Sequence, residues 1–350
     1  MALTPKTTSV KRLSNTVRDV TRRSRVTSPL GWSGEQWLER YLVVSEAWAH
    51  VLGRYVDPVA NFFRAGGTRE QVGELLSALR VDAGIDLSRK DFEAVATQIG
   101  VLQLVAGTSV GDAVPFRTTG AKPPLFLVSG SGGVALQFAF LARELGDGQP
   151  VIGLQSRAAQ QRRLPEYSWR GQIRRLADRV ESFAPSGQVA LGGHSLGGLV
   201  ALGVAHELTR RGRHVKELFI VDSRPEARFT RSLGTAVPPT ANVLNFPRPV
   251  VLTAPAVALA GVVRPGAGKV YEAQFYFGQV RRLVIPPIPA FNGPTHLFVT
   301  AFDPDHVETG WRYRGGGPLT VDHVPGSHNS CLRPPHVKVI AQHVASYLSN

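Results

Sequence analysis

The chain has 350 residues, 43% of them hydrophobic and 19% charged, which supplies a packed core and excludes a wholly disordered polymer. Its single cysteine, Cys331, excludes an intramolecular disulfide and a multi-cysteine zinc site, and fits a reducing compartment. A formal net charge of +14 raises nucleic acid as a partner, but the excess is dispersed, with no zinc-finger spacing and no aromatic–basic recognition stretch, so that class is set aside.

Residues 1–30 are rich in Ser, Thr and Arg and carry seven basic residues against Asp19 alone. They read as a basic disordered tail, with an organelle transit peptide as the alternative. The expected location is otherwise cytoplasmic. There is no signal-peptide core, and the uncharged stretches near residues 123–142, 249–263 and 283–302 are broken by Gly, Pro or polar residues, so no membrane span is expected.

Residues 34–107 read as a small all-α domain. Ser33 is placed to cap a first helix through Trp37, Leu42, Trp48 and Leu52, stopped by Gly53. A second helix starts near Glu70, with Val72, Leu75 and Leu79 on one side and Gly84 at its end. A third helical stretch is expected from Lys90 to Val105, and residues 108–122 read as a polar linker. Residues 123–350 alternate strand and helix patterns. Strands are expected at Leu125–Val128, Val151–Leu154, Gln188–Leu191, Leu218–Val221, His296–Thr300 and Leu319–His323, with helices between and a last helix from Pro335 to Leu348. This order implies an α/β fold with a mostly parallel sheet. The Pro-rich segment 228–290 interrupts the rhythm and reads as an inserted lid.

Gly193-His194-Ser195-Leu196-Gly197 lies between an expected strand and an expected helix. That is the setting a nucleophile elbow requires, because a serine on so tight a turn tolerates only small neighbours. A serine hydroxyl needs a base, and the base needs a carboxylate to orient it. His328, in Val324-Pro325-Gly326-Ser327-His328, lies between the last strand and the last helix, where a base reaches the carboxyl edge of the sheet. Two acids compete. Asp222 ends an apolar strand, where an unpaired carboxylate is costly, and is preferred. Asp303 sits in an Asp-Pro-Asp turn where solvated Asp is ordinary. The oxyanion hole is expected from the backbone N–H of Leu196 together with that of Gly130 or Ser131, in the Gly-rich loop after the first strand.

These motifs resemble a known family. Residues 123–350 resemble the type I thioesterase domain that ends nonribosomal peptide synthetases and polyketide synthases, through Pro124–Gly133, Pro150–Gln155, Leu191–Ala201, Phe219–Ser223 and Val324–His328. The resemblance implies an α/β-hydrolase fold and supports Asp222 as the acid. It departs at Ser327, where the family often has Asp, and the lid carries no family motif. Residues 34–107 resemble a carrier-protein domain through Val56-Asp57, Asn61-Phe62-Phe63 and Gly66-Gly67. The family's phosphopantetheine serine falls on Arg69, with Thr68 one position off. The resemblance therefore implies a carrier fold that has lost its prosthetic group.

The resulting expectation is a thioesterase of secondary metabolism with Ser195, Asp222 and His328 as its triad. It holds no covalent cofactor. Its substrate is a phosphopantetheine or coenzyme A thioester, delivered by a separate acyl or peptidyl carrier protein. The arginines at 157, 162, 163, 170, 174, 175 and 179 offer that carrier a basic surface, or else form a solvated helix face. An esterase or cyclising acyltransferase with the same triad, and a non-catalytic docking protein, are the alternatives.

Overall fold

The computed structural model describes residues 32–107, 111–156, 168–226, 278, 285–301 and 304–349. The basic tail, Arg157, Arg162, Arg163 and nearly all of the expected lid lie outside the described residues.

Helix α1 spans Gly34–Leu52 and opens on a capping box, in which Ser33 Oγ accepts from Gln36 N at 3.2 Å and Gln36 Oε1 accepts from Ser33 N at 2.8 Å. Gly53, at φ 70°, ends it in the left-handed conformation. Trp37, Tyr41, Val44 and Trp48 are all buried, so the helix is apolar around most of its girth. That pattern suits a helix enclosed on several sides: α2 (Gln71–Ala83) and α4 (Gln98–Ala106) cover part of it, and the sheet domain covers another. The single stretch expected from Lys90 to Val105 is two helices, α3 (Arg89–Val95) and α4. The break comes at Ala96, at φ 28°, where Thr97 Oγ1 accepts from Gly100 N at 3.0 Å and caps the second helix.

The expected linker holds a strand. Residues Ala113–Arg117 form β1, with Val114 and Phe116 buried, and pair antiparallel with β3 (Val151–Leu154). Its polar composition hid it, and Pro115 is tolerated because β1 is an edge strand. The remaining strands are β2 (Leu125–Val128), β4 (Val189–His194), β5 (Val215–Val221), β6 (Thr295–Val299) and β7 (Leu319–His323). The sheet order is β1-β3-β2-β4-β5-β6-β7, and every neighbouring pair except β1–β3 is parallel.

Both faces of the central strands are buried, as a covered parallel sheet requires. Leu125, Leu127, Phe219 and Val221 face α9 (Val337–Ser349), α5 (Ala139–Glu144) and the N-terminal helices. Phe126, Val128, Leu191 and Ile220 face α6 (Trp169–Phe183), α7 (Leu196–Arg210) and α8 (Pro304–Arg314). From β2 the chain moves outward to β3, and from β4 outward to β5, so the order reverses between the adjacent strands β2 and β4. Such a reversal opens a crevice at the carboxyl ends of the strands, flanked here by the loop after β2 and the turn after β4.

Candidate active site

Ser195 sits in the turn between β4 and α7 at φ 56° and ψ −126°, a conformation rare for a residue with a side chain. The turn closes tightly enough that a Cβ on Gly193 would overlap the carbonyl of Gly197, and one on Gly197 would overlap the carbonyl of Val128. Ser195 N donates to Val221 O at 3.0 Å, which ties the turn to β5. The side chain is left at the sheet's carboxyl edge.

His328 enters from the loop between β7 and α9. Its Nε2 lies 3.0 Å from Ser195 Oγ and its Nδ1 lies 2.6 Å from Asp222 Oδ2. Asp222, 5% exposed, follows β5 at φ 43°. Its other oxygen, Oδ1, accepts from Thr300 N at 3.1 Å and from Thr300 Oγ1 at 3.0 Å. Burial alone would raise this carboxyl. The hydrogen bond and charge of His328, with the Thr300 donors, outweigh it and hold Asp222 below its ordinary range.

The loop after β2 runs against Ser195. A Cβ on Gly130 would stand 3.1 Å from His194 O and 3.4 Å from Ser195 Cβ. The loop closes on itself through Gly133 N donating to Gly130 O at 2.9 Å. Leu196 opens α7, so its N–H belongs to the first helical turn, which lacks intrahelical acceptors. Gly278, from the expected lid, packs against Ser131.

Ser195, Asp222, His328, Leu196, Gly130 and Ser131 thus converge on one crevice. The rival acid Asp303 lies outside the described residues, and Asp305 is exposed in the first turn of α8. Other histidines have partners away from the crevice: His296 with Glu217, His343 with Asp322 and His214 with Gln188. Of the basic surface, Arg175 and Arg179 bind Asp112, while Arg170 and Arg174 are exposed.

Two supporting residues escaped the sequence reading. Thr300 holds Asp222, and a buried hydroxyl one residue beyond a strand gives little sequence signal. His194 was visible only as the variable position of the elbow. Its Nε2 bonds the carbonyl oxygen of His328 at 2.9 Å and its ring stands 4.7 Å from that of His328. A carbonyl only accepts, so Nε2 carries the proton.

The thioesterase domain family model matches residues 123–347. The chain belongs to this thioesterase family. The thioesterase is 30% identical over 263 residues to the chondramide synthase of Chondromyces crocatus, a match covering 65% of this chain and 7% of that synthase. A four-domain nonribosomal peptide synthetase, solved in its holo form with AMP and glycine, aligns with a TM-score of 0.57 at 19% identity over 87% of this chain and 26% of that one. The NocB thioesterase domain, solved as a covalent complex with a fluorophosphonate nocardicin G analogue, aligns with a TM-score of 0.50 at 26% identity over 67% of this chain and 96% of that one. Among the described residues of the thioesterase, no helix is long and apolar enough to cross a membrane.

Proposed function

We propose that the chain is a serine thioesterase of nonribosomal peptide or polyketide assembly, acting through a Ser195–His328–Asp222 relay on an acyl or peptidyl thioester. The observation that carries this reading is the unbroken run of hydrogen-bonding distances from Ser195 Oγ through the His328 ring to Asp222 Oδ2.

In this reading Ser195 Oγ attacks the thioester carbonyl while His328 Nε2 takes its proton. Asp222 keeps the Nδ1 proton on His328 and stabilises the imidazolium as it forms. The N–H of Leu196, with an N–H of Gly130 or Ser131, binds the oxyanion. As the tetrahedral adduct collapses the C–S bond breaks, and His328 returns its proton to the departing sulfur. Water, or a hydroxyl or amine of the acyl chain itself, then attacks the ester on Ser195 with His328 again as base, releasing an acid or a cyclised product.

The leaving group in this reading is the phosphopantetheine thiol of a carrier protein, and the carrier is separate. The carrier-like reading of residues 34–107 is supported by the four-domain synthetase alignment, which covers a larger share of the chain than residues 123–350 supply. Arg69 occupies the position of the attachment serine, so this segment cannot hold the substrate.

A fluorophosphonate probe tests the nucleophile. It should label the wild-type chain at Ser195 and leave Ser195→Ala unlabelled. Ser195→Ala should also lose acyl-thioester turnover by about 10³-fold or more. Labelling at another residue, or full turnover by the variant, overturns the reading.

A further inference from the structure

Arg333 lies five residues beyond His328, and its side chain is 3% exposed. Its Nη1 donates to Gln137 O at 2.9 Å, its Nε to Val56 O at 3.4 Å, and its Nη2 reaches Asp57 Oδ2 at 3.3 Å. One buried guanidinium therefore joins three segments: the turn after α1, the stretch following the Gly130–Gly133 loop, and the loop that carries His328. Separating the N-terminal helices from the sheet domain would break the bonds to Val56 and Asp57 together.

The rest of the contact has the same character. Tyr41 and Tyr55 both pack edge-on against Phe140, with ring centroids 6.1 Å and 5.1 Å apart. These residues belong to one continuous apolar cluster that also holds Trp37 and Ile340. Gly34 meets the carbonyl of Pro115 with no room for a Cβ. Glu46 pairs with Arg143 at 3.1 Å. Near the crevice, Val59 lies 3.6 Å from where a Cβ on Gly132 would be. A module that shuttles between sites needs a small, polar, separable interface, whereas a shared apolar core marks a permanent one.

We propose that residues 34–107 form a fixed wall of the thioesterase site, and that the Asp57–Arg333 pair is a positioning device. It holds the Gly130–Ser131 loop and the His328 loop in register with Ser195. The inference rests on the function proposed above only for its catalytic consequence; the fixed wall stands or falls by itself. In this reading the carrier-like helices are part of the enzyme body, and a substrate-bearing carrier approaches by another face.

The test uses the full chain with a specific protease site inserted between Gly107 and Gly111. After cleavage, the helical fragment should co-elute with the sheet domain on native gel filtration; release of the fragment overturns the fixed wall. The second arm is Asp57→Ala, chosen because the Asp57 side chain is 43% exposed and the change leaves the apolar core untouched. Amide hydrogen exchange should rise in residues 129–138 and 324–334 and stay unchanged in β5 and α7. On a carrier-bound or small-molecule thioester, kcat should fall about tenfold with KM changed less than about twofold, because alignment rather than binding is lost. Asp57→Glu should recover part of kcat. Unchanged exchange in both loops overturns the positioning role whether or not the chain hydrolyses thioesters. Unchanged kcat in an active enzyme overturns it too.

Discussion

His194 donates through Nε2 to the carbonyl oxygen of His328, at 2.9 Å. The residue before Ser195 therefore braces the backbone of His328, and the two loops that bring Ser195 and His328 together hold each other. Cys331 Sγ approaches the same carbonyl at 3.8 Å, so the carbonyl is held from two sides.

That bond has a pH signature. Burial first, and then the neighbouring His328 ring, push the His194 imidazole from 6.5 down to about 3. A histidine depressed in the folded state binds fewer protons there than in the unfolded chain. Its contribution to stability is complete above pH 6.5 and is lost as pH falls toward about 3. Across that window the loss approaches about 1.4 kcal/mol per pH unit. Urea melts of wild type and His194→Gln from pH 7 to pH 4 should show the variant losing stability more slowly with acid. Parallel curves would refute this role.

The Asp222 carboxylate divides its oxygens between His328 and Thr300. Asp222→Asn presents an amide that favours the wrong imidazole tautomer, a change costing about 10⁴-fold in serine proteases. Thr300→Val keeps the backbone donor and removes the hydroxyl. It should cost about 1 kcal/mol, or about fivefold in kcat, with Thr300→Ser recovering most of it. Asp303→Asn should be near wild type. Measured kcat values for the four variants decide the assignment, and a larger loss at Asp303 would move the acid to the segment after β6.

Much of this site was legible because its constraints are steric and ordered along the chain. Gly193 and Gly197 announce the elbow, since nothing larger fits beside Gly197 and Val128. His328 follows from its place after the last strand. The supports were not legible because they act across the sequence. Thr300 matters only once β5 and β6 lie side by side, and Arg333 looks like a surface arginine until the turn after α1 and the His328 loop meet around it. Strand β1 failed for another reason. Only Val114 and Phe116 carry its pattern, and Pro115 between them reads as loop.

Cys331 should be chemically silent in the folded protein. It is buried, and burial pushes its thiol up to about 12, so almost none is thiolate at neutral pH. Iodoacetamide at pH 7.5 should leave the native mass unchanged and add one adduct after unfolding in guanidinium. Rapid alkylation of the native chain would mean that the loop carrying His328 opens.

The carrier-like helices should resist loading. A phosphopantetheinyl transferase needs a hydroxyl at the start of the carrier's second helix. In the carrier reading proposed above Arg69 takes that position, and a guanidinium is always protonated and cannot serve as the nucleophile. The nearest hydroxyl, Thr68 Oγ1, accepts from Gln71 N at 3.3 Å, while Gln71 Oε1 accepts from Thr68 N at 3.0 Å. This reciprocal pair closes the turn that leads into α2, and Gln71 Nε2 also donates to Val51 O at 3.0 Å, tying the start of α2 to the end of α1. Attaching a phosphodiester to Thr68 would break that turn. Incubation with coenzyme A and a broad-specificity transferase should therefore leave the intact mass unchanged, and Thr68→Val should lower the melting temperature through the lost turn hydrogen bond, worth about 1 kcal/mol. A mass gain of one phosphopantetheine, abolished by Thr68→Val, would return substrate delivery to this chain's own helices.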